Sequence, residues 1–199
     1  CLEGSLFNAG TVVQWLRDGL QIIQNADEVN HLTNEVEDSA GVMLVPAFTG
    51  WGTPYWDPNA RGLIVGLTRD SRRGHIARAA LEGIALSVAC LVQLAEESMK
   101  HGLGELAVDG GAAASNALLQ AQANSTGLKV RRAANLESTA RGVALLAGLE
   151  AGVIKDLQEL VPSREKGAEL FLPKIDSVER IAWLSRWDKA VRKSLNWHE

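Results

Sequence analysis

Two short stretches of this sequence remove side-chain bulk where a strand-like run passes into a helix-like one. The first is VDGGAAASN at residues 108–116, with Gly110 and Gly111 at the end of an apolar run, then three alanines, Ser115 and Asn116. Glycines admit a ligand to the backbone, a helix start leaves N–H groups without internal partners, and its dipole favours an anion. Ser115 or Asn116 is a ready N-cap. In an open α/β sheet such a turn lies beyond the carboxyl end of a strand, where ligands sit, so the chemistry on offer is the holding of a phosphate or nucleotide. The second stretch, NAGT at residues 8–11, repeats the design, and Gln14 lies one turn further on the Gly10 face. Two such ends can clamp one ligand. Neither has the Gly-Lys-Ser/Thr of a Walker A loop or the G-x-G-x-x-G of a Rossmann turn. The competing readings are a tight turn before a packed helix for the first and a plain capped helix for the second.

The elements that must position these turns follow from periodicity. Residues 1–7 (CLEGSLF) read as a strand already under way. After it, Val13, Leu16, Leu20 and Ile23 recur at helical spacing. A polar segment runs through Asp38, then GVMLVPAF reads as a buried strand. TGWGTPYWDPNARG follows, too rich in Gly, Pro and Asn for anything but a long structured loop. The longest helix starts near Gly74, with Ile76, Ala80, Ile84, Val88, Leu91, Ala95 and Met99 on one stripe, and Gly102 as its C-cap. Beyond it the chain alternates: strand ELAVD, the glycine turn, helix NALLQAQANST, Gly127, strand LKVRR, helix ESTARGVALLAGLEAG. That alternation predicts an α/β layout around a parallel sheet. Residues 161–174 read as a surface connection. A last helix opens at Asp176 with Glu179 as its capping-box partner, turning Leu184, Trp187, Val191 and Leu195 inward.

Composition narrows the function classes. The 199 residues are 46% hydrophobic and 22% charged, enough for one sizeable core. A net charge of −4 gives no basic face, which argues against nucleic acid or an anionic membrane as partner, and no apolar run reads as a bilayer span. Two cysteines, Cys1 and Cys90, are too few for a disulfide framework and fit free thiols in the cytoplasm. His31 and His101 have no partner at metal-ligand spacing, and His75, at a helix start, reads as a cap or a surface group. Asp57 and Arg61 read as a structural pair, Asp109 as a turn residue. Trp183, Trp187 and Trp197 take core or subunit-contact positions on the last helix, so a homo-oligomer stays open. The opening without Met, on a strand in progress, reads as a piece of a longer protein.

Three stretches together resemble the C-terminal part of the glycerol kinases, in the family of sugar and polyol kinases. VPAFTGWGTPYWDPNARG is similar to that family's central loop, GLIVGLTRDSRRGHIARAALEG to its C-terminal signature, and VDGGAAASN with LLQAQANSTG to its adenosine-side motif. The resemblance covers nearly the whole chain. It implies an actin-like, ribonuclease-H-like ATPase fold lacking the first two strands of its sheet, since CLEGSLF matches the third. Residues 1–199 would then be part of the C-terminal domain of a two-domain kinase that takes ATP with Mg2+ and phosphorylates glycerol. Gly10 and Gly111 would meet the phosphates or the nucleotide backbone-first, Gln14 the ribose or purine side, and Ser115 or Asn116 the adenine edge. Ser115 departs from a family that often has Asn there, and Val143 stands where the family more often has Ala.

The same resemblance places the catalytic aspartate and most of the glycerol pocket in segments absent from this chain, so no catalytic base and no metal ligand is assigned here. The piece alone is then expected to be inactive. Two alternatives stand beside this reading: another polyol or sugar kinase of the same family, and a non-catalytic binding or assembly module that keeps the fold.

Overall fold

The structure is a computed structural model describing residues 1–156 and 167–198. Its centre is α3 (Arg73–Met99), which begins where Arg72 N–H donates to His75 Nδ1 at 3.0 Å and ends at Lys100, the left-handed C-cap at φ 57°. The expected C-cap Gly102 lies two residues further on, because Lys100 itself absorbs the turn. The single apolar stripe is also corrected. Between Gly74 and Val92 the helix is buried on several faces, with Ala77, Ala79, Ala80, Leu81, Ile84, Ala85 and Leu86 all interior. Among the described residues this is the one helix long and apolar enough to cross a bilayer, contrary to the expectation that no apolar run approached that span. Its apolar window, of mean hydropathy 1.5, is 61% buried inside the fold.

Against α3 pack α1 (Gly10–Asp18), α2 (Glu28–Asn34) and α4 (Asn116–Thr126), together with the hairpin-like pair β1 (Met43–Val45) and β2 (Leu63–Val65). Val12 and Leu16 of α1 and Val29 and Leu32 of α2 supply the inward faces. The α2 helix lies within the segment expected to be merely polar. Leu20, placed on the apolar face by spacing, is 39% exposed because α1 has already ended at Asp18. Residues 1–7 form no strand. They lie beside the glycine-rich loop, where Ser5 N–H donates to Thr53 Oγ1 and Thr53 N–H to Ser5 O, each at 3.1 Å.

The second layer is a three-stranded sheet in the order β3 (Glu105–Val108), β4 (Lys129–Arg132) and β5 (Glu169–Phe171). β3 and β4 are parallel, as α4 crosses between them, whereas β5 returns antiparallel. The sheet is therefore mixed. β5 also replaces part of the surface connection expected at residues 161–174; the rest of that stretch, up to residue 166, lies outside the described residues. Helix α5 (Ser138–Glu150) follows β4, and α6 (Ser177–Ser194) is capped by Asp176, whose Oδ1 accepts from Glu179 N–H at 2.9 Å. Trp187 and Val191 of α6 enter the core beside Trp51 and Leu86, but Trp197 lies past the helix end and is 63% exposed.

Candidate functional site

Both bulk-free turns open on one cavity of about 440 Å3. Gly10 and Gln14 reach it from α1, Gly111 and Ser115 from the short 3₁₀ turn (Gly111–Ala114) and the start of α4, while Val13, Val29, Leu81 and Leu118 give it apolar walls. The turn before α1 is anchored by Asn8, only 7% exposed, whose Nδ2 donates to Thr49 Oγ1 at 3.2 Å and whose Oδ1 accepts from the Thr11 hydroxyl at 3.4 Å. No side chain caps α1; Val12 N–H turns back to the Ala9 carbonyl at 3.0 Å, while the N–H groups of Gly10 and Thr11 have no partner among the described residues. The helices α4 and α6, by contrast, are capped by Ser115 and Asp176. The plain-cap alternative for NAGT therefore fails on its own terms.

Neither Gly10 nor Gly111 is required by packing. A Cβ built on either meets no heavy atom within 4 Å, and neither has the positive φ that demands glycine. Only Gly110, at φ 84°, answers to the turn itself. Residues without a side chain that face open space at two helix starts are suited to an anionic ligand that must touch the main chain.

Ser115 Oγ accepts from Leu118 N–H at 3.2 Å and donates to Asn30 Oδ1 at 2.6 Å, tying α4 to α2. Asn116 does not reach this cavity. It borders a neighbouring cleft of about 600 Å3, and its Oδ1 accepts from Arg132 at 2.8 Å. Arg132 also holds the carbonyls of Ala113 and Ala114, pairs with Glu169 and lies over the Phe171 ring, so it fastens the 3₁₀ turn to the sheet. Of the five expected ligand residues, four thus share one cavity and Asn116 serves the scaffold beside it. Asp27 and Asn30, which also line the cavity, were hidden in the polar segment; only the helix-period pair Val29 and Leu32 hints that they share a helix.

The remaining candidates are structural. Asp57 and Arg61 form no ion pair. Asp57 accepts from the N–H groups of Asn59 and Asn196 at 2.8 and 2.7 Å, the latter chiefly holding its carboxyl below the ordinary range, while Arg61 donates to the Pro58 and Ala60 carbonyls. The group therefore fastens the central loop to the end of α6. Asp109 is exposed at the end of β3, and among the described residues no three His, Cys, Asp or Glu side chains gather as a metal site.

Residues 1–151 match the model of the FGGY family of carbohydrate kinases, C-terminal domain. A glycerol kinase of Polaromonas sp. (strain JS666) is 49% identical over 98% of this chain and 40% of its own length. Glycerol kinase 1 of Saccharolobus solfataricus is 45% identical over 98% of this chain and 39% of its own. Among solved structures, Plasmodium falciparum glycerol kinase with ADP matches at a TM-score of 0.82 and 32% identity, over 94% of this chain and 37% of that one. A xylulose kinase from Lactobacillus acidophilus shares the fold at 0.71 and 23% identity, over 96% of this chain and 38% of that one. The chain thus spans about 40% of the length of the curated relatives it matches. With a family model over most of its length and relatives this similar along nearly all of it, the chain belongs to the FGGY family of carbohydrate kinases and carries their actin-like ATPase fold.

Proposed function

We propose that this chain is the nucleotide-holding part of an ATP-dependent glycerol kinase, which passes the γ-phosphoryl group of ATP to a hydroxyl of glycerol. The observation that carries the proposal is the cavity where Gly10 and Gly111 turn bare backbone toward open space. Support comes from its setting in a fold similar to a glycerol kinase solved with ADP. Relatives at 45–49% identity bear the glycerol kinase name, whereas the xylulose kinase is similar in fold alone.

Phosphoryl transfer asks a protein mainly for positioning and for charge stabilisation on the phosphate oxygens. The share of this chain is to receive the phosphates on the uncapped start of α1 and the Gly111 backbone, and the base and ribose among Gln14, Ser115 and the apolar walls. Mg2+ would accompany the nucleotide phosphates; among the described residues no three His, Cys, Asp or Glu side chains gather, and no step is assigned to it.

The proposal extends to the whole protein. Residues 1–199 are part of a C-terminal domain, and a further domain supplies the base and most of the glycerol pocket. Three features support this. Among the described residues the outer edge of β3 has no partner strand. A groove of about 520 Å3 lined by Leu91, Ala95 and Leu106 lies open beside it. Helix α5 buries none of its residues, although Val143 and Leu146 are apolar. A bare strand edge with uncovered apolar surface suits additional strands of the same polypeptide. The enzyme would work in the cytoplasm, where the unpaired thiols of Cys1 and Cys90 stay reduced.

Gly111→Val in the full-length enzyme tests the site. The fold has room for the side chain, so the melting temperature should hold, while the KM for ATP rises about tenfold or more and the KM for glycerol changes little. Equal damage to both substrates, or to neither, refutes the assignment.

A further inference from the structure

Two side chains that line the proposed nucleotide cavity, Ser115 and Asn30, are hydrogen-bonded to each other. Ser115 Oγ and Asn30 Oδ1 lie 2.6 Å apart, a separation suited to O–H···O, and a lone pair of the same hydroxyl is taken by Leu118 N–H at 3.2 Å. The hydroxyl donates to Asn30 Oδ1, so Nδ2 and its two hydrogens are not engaged by Ser115. No acceptor among the described residues takes them, although Asn30 is partly buried and borders the cavity.

Asp27 precedes Asn30 by three positions, which puts the two on one face at the start of α2. It occupies the N-cap position, yet its carboxylate accepts no hydrogen bond from its own helix. The cavity lining thus includes an amide donor and a carboxylate acceptor from one short helix, neither taken by a cap bond. Adenine presents the complement along its outer edge, with ring nitrogen N1 as acceptor beside the exocyclic 6-amino group as donor. Guanine presents the reverse, an N1–H donor beside the O6 acceptor.

We propose that Asn30 and Asp27 read the nucleobase: Asn30 Nδ2 donates to a ring nitrogen, Asp27 accepts from the exocyclic amine, and Ser115 is a positioning residue that sets the amide. This rests on the nucleotide reading of the cavity. A site built to hydrogen-bond one edge rejects the inverted edge because both partners are left unpaired.

The test uses the full-length enzyme, with glycerol saturating and ATP or GTP varied. The wild type should favour ATP. Asn30→Asp keeps the shape and removes the donor, so the KM for ATP should rise about tenfold with kcat nearly unchanged, and the ATP-over-GTP preference should fall by at least as much. Asp27→Asn, at an exposed position with no structural bond to lose, should raise relative use of GTP. Ser115→Ala should lower the ATP preference by freeing the amide, and Ser115→Thr should restore it, which a purely structural cap would not do for base choice. A wild type that uses ATP and variants with its unchanged ATP/GTP ratio overturn the base-reading pair alone. A wild type that uses neither nucleotide overturns it together with the function proposed above.

Discussion

Helices α3 and α5 are both built on small and apolar residues, IALSVACLV in one and GVALLAGLE in the other, and they meet opposite fates. α3 buries twelve of its residues and α5 none. The difference is in their surroundings. α3 lies between α1, α2 and α4 on one side and β1 on another, with Ser125 of α4 donating to the Ala85 carbonyl at 3.1 Å. α5 leaves Val143 and Leu146 more than 60% exposed. An apolar helix sequence therefore states a demand for partners, and the partners are a separate matter. Even α3 shows both outcomes along its own length, since nothing beyond Val92 is buried and Leu91 and Ala95 border the open groove beside β3.

The sharpest way to test the packed side is to overfill it. At Gly83 a Cβ would lie 2.1 Å from the Leu44 carbonyl oxygen, so α3 and β1 approach backbone to backbone there. Gly83→Val must push the strand off the helix, and we expect a loss of about 3 kcal/mol or more. That is a large part of the roughly 5–15 kcal/mol that holds a domain together. Urea denaturation should show it as a lower midpoint at unchanged slope. A variant within about 0.5 kcal/mol of the parent would mean that this layer yields as easily as an exposed surface does.

The same contrast explains what was legible in the sequence. α4 and α6 could be read because their caps, Ser115, Gly127 and Asp176, are residues suited to the task, and α3 because its apolar run is long, although its single stripe and its Gly102 cap were misplaced. α2 was hidden because a seven-residue helix with two buried aliphatics leaves little periodic signal, and β5 because a three-residue edge strand leaves none. Residues 1–7 looked like a strand because their residue pattern was legible while the absence of a ladder partner was not. In the site, Gly10, Gln14, Gly111 and Ser115 showed through their missing bulk and turn position. Asp27 and Asn30 did not, since only the approach of α2 to α4 brings them to the cavity.

Acid titration offers a subtler test, because one carboxylate on each side answers pH in the opposite sense. Glu82, whose side chain on α3 is 14% exposed, bonds Arg78 at 3.1 Å, yet burial raises its pKa above the ordinary carboxylate value. The native state then holds that proton more tightly than the unfolded chain, so stability falls as pH rises from about the unfolded value through the folded one. On β3, hydrogen bonds from Arg131 and then Lys129 lower the pKa of Glu105. Its contribution is present above the unfolded value and is lost as pH falls through the folded one. Unfolding curves across acid pH should therefore show Glu82→Gln flattening the decline on the rising-pH side and Glu105→Gln flattening the loss on the falling-pH side. Equal effects of the two variants would erase the distinction between buried and ion-paired carboxylates.

The smallest expected effect is the one that asks whether α5 has a partner at all. A Cβ added at Gly142 meets nothing within 4 Å, and the residue shares a helix face with exposed Leu146 four positions on. In the 199-residue chain, Gly142→Ala therefore carries only its backbone consequence, a gain of at most about 1 kcal/mol from lower unfolded-state entropy and better helix propensity. If further strands of the full-length protein close over this face, the same methyl lies at a packed contact. There the gain should vanish or turn into a loss, as small additions to close-packed surfaces do. Thermal unfolding of the substitution in both backgrounds measures the difference directly. An equal gain in the two would show that α5 stays bare in the whole protein, and the uncovered face would then cease to support the missing strands.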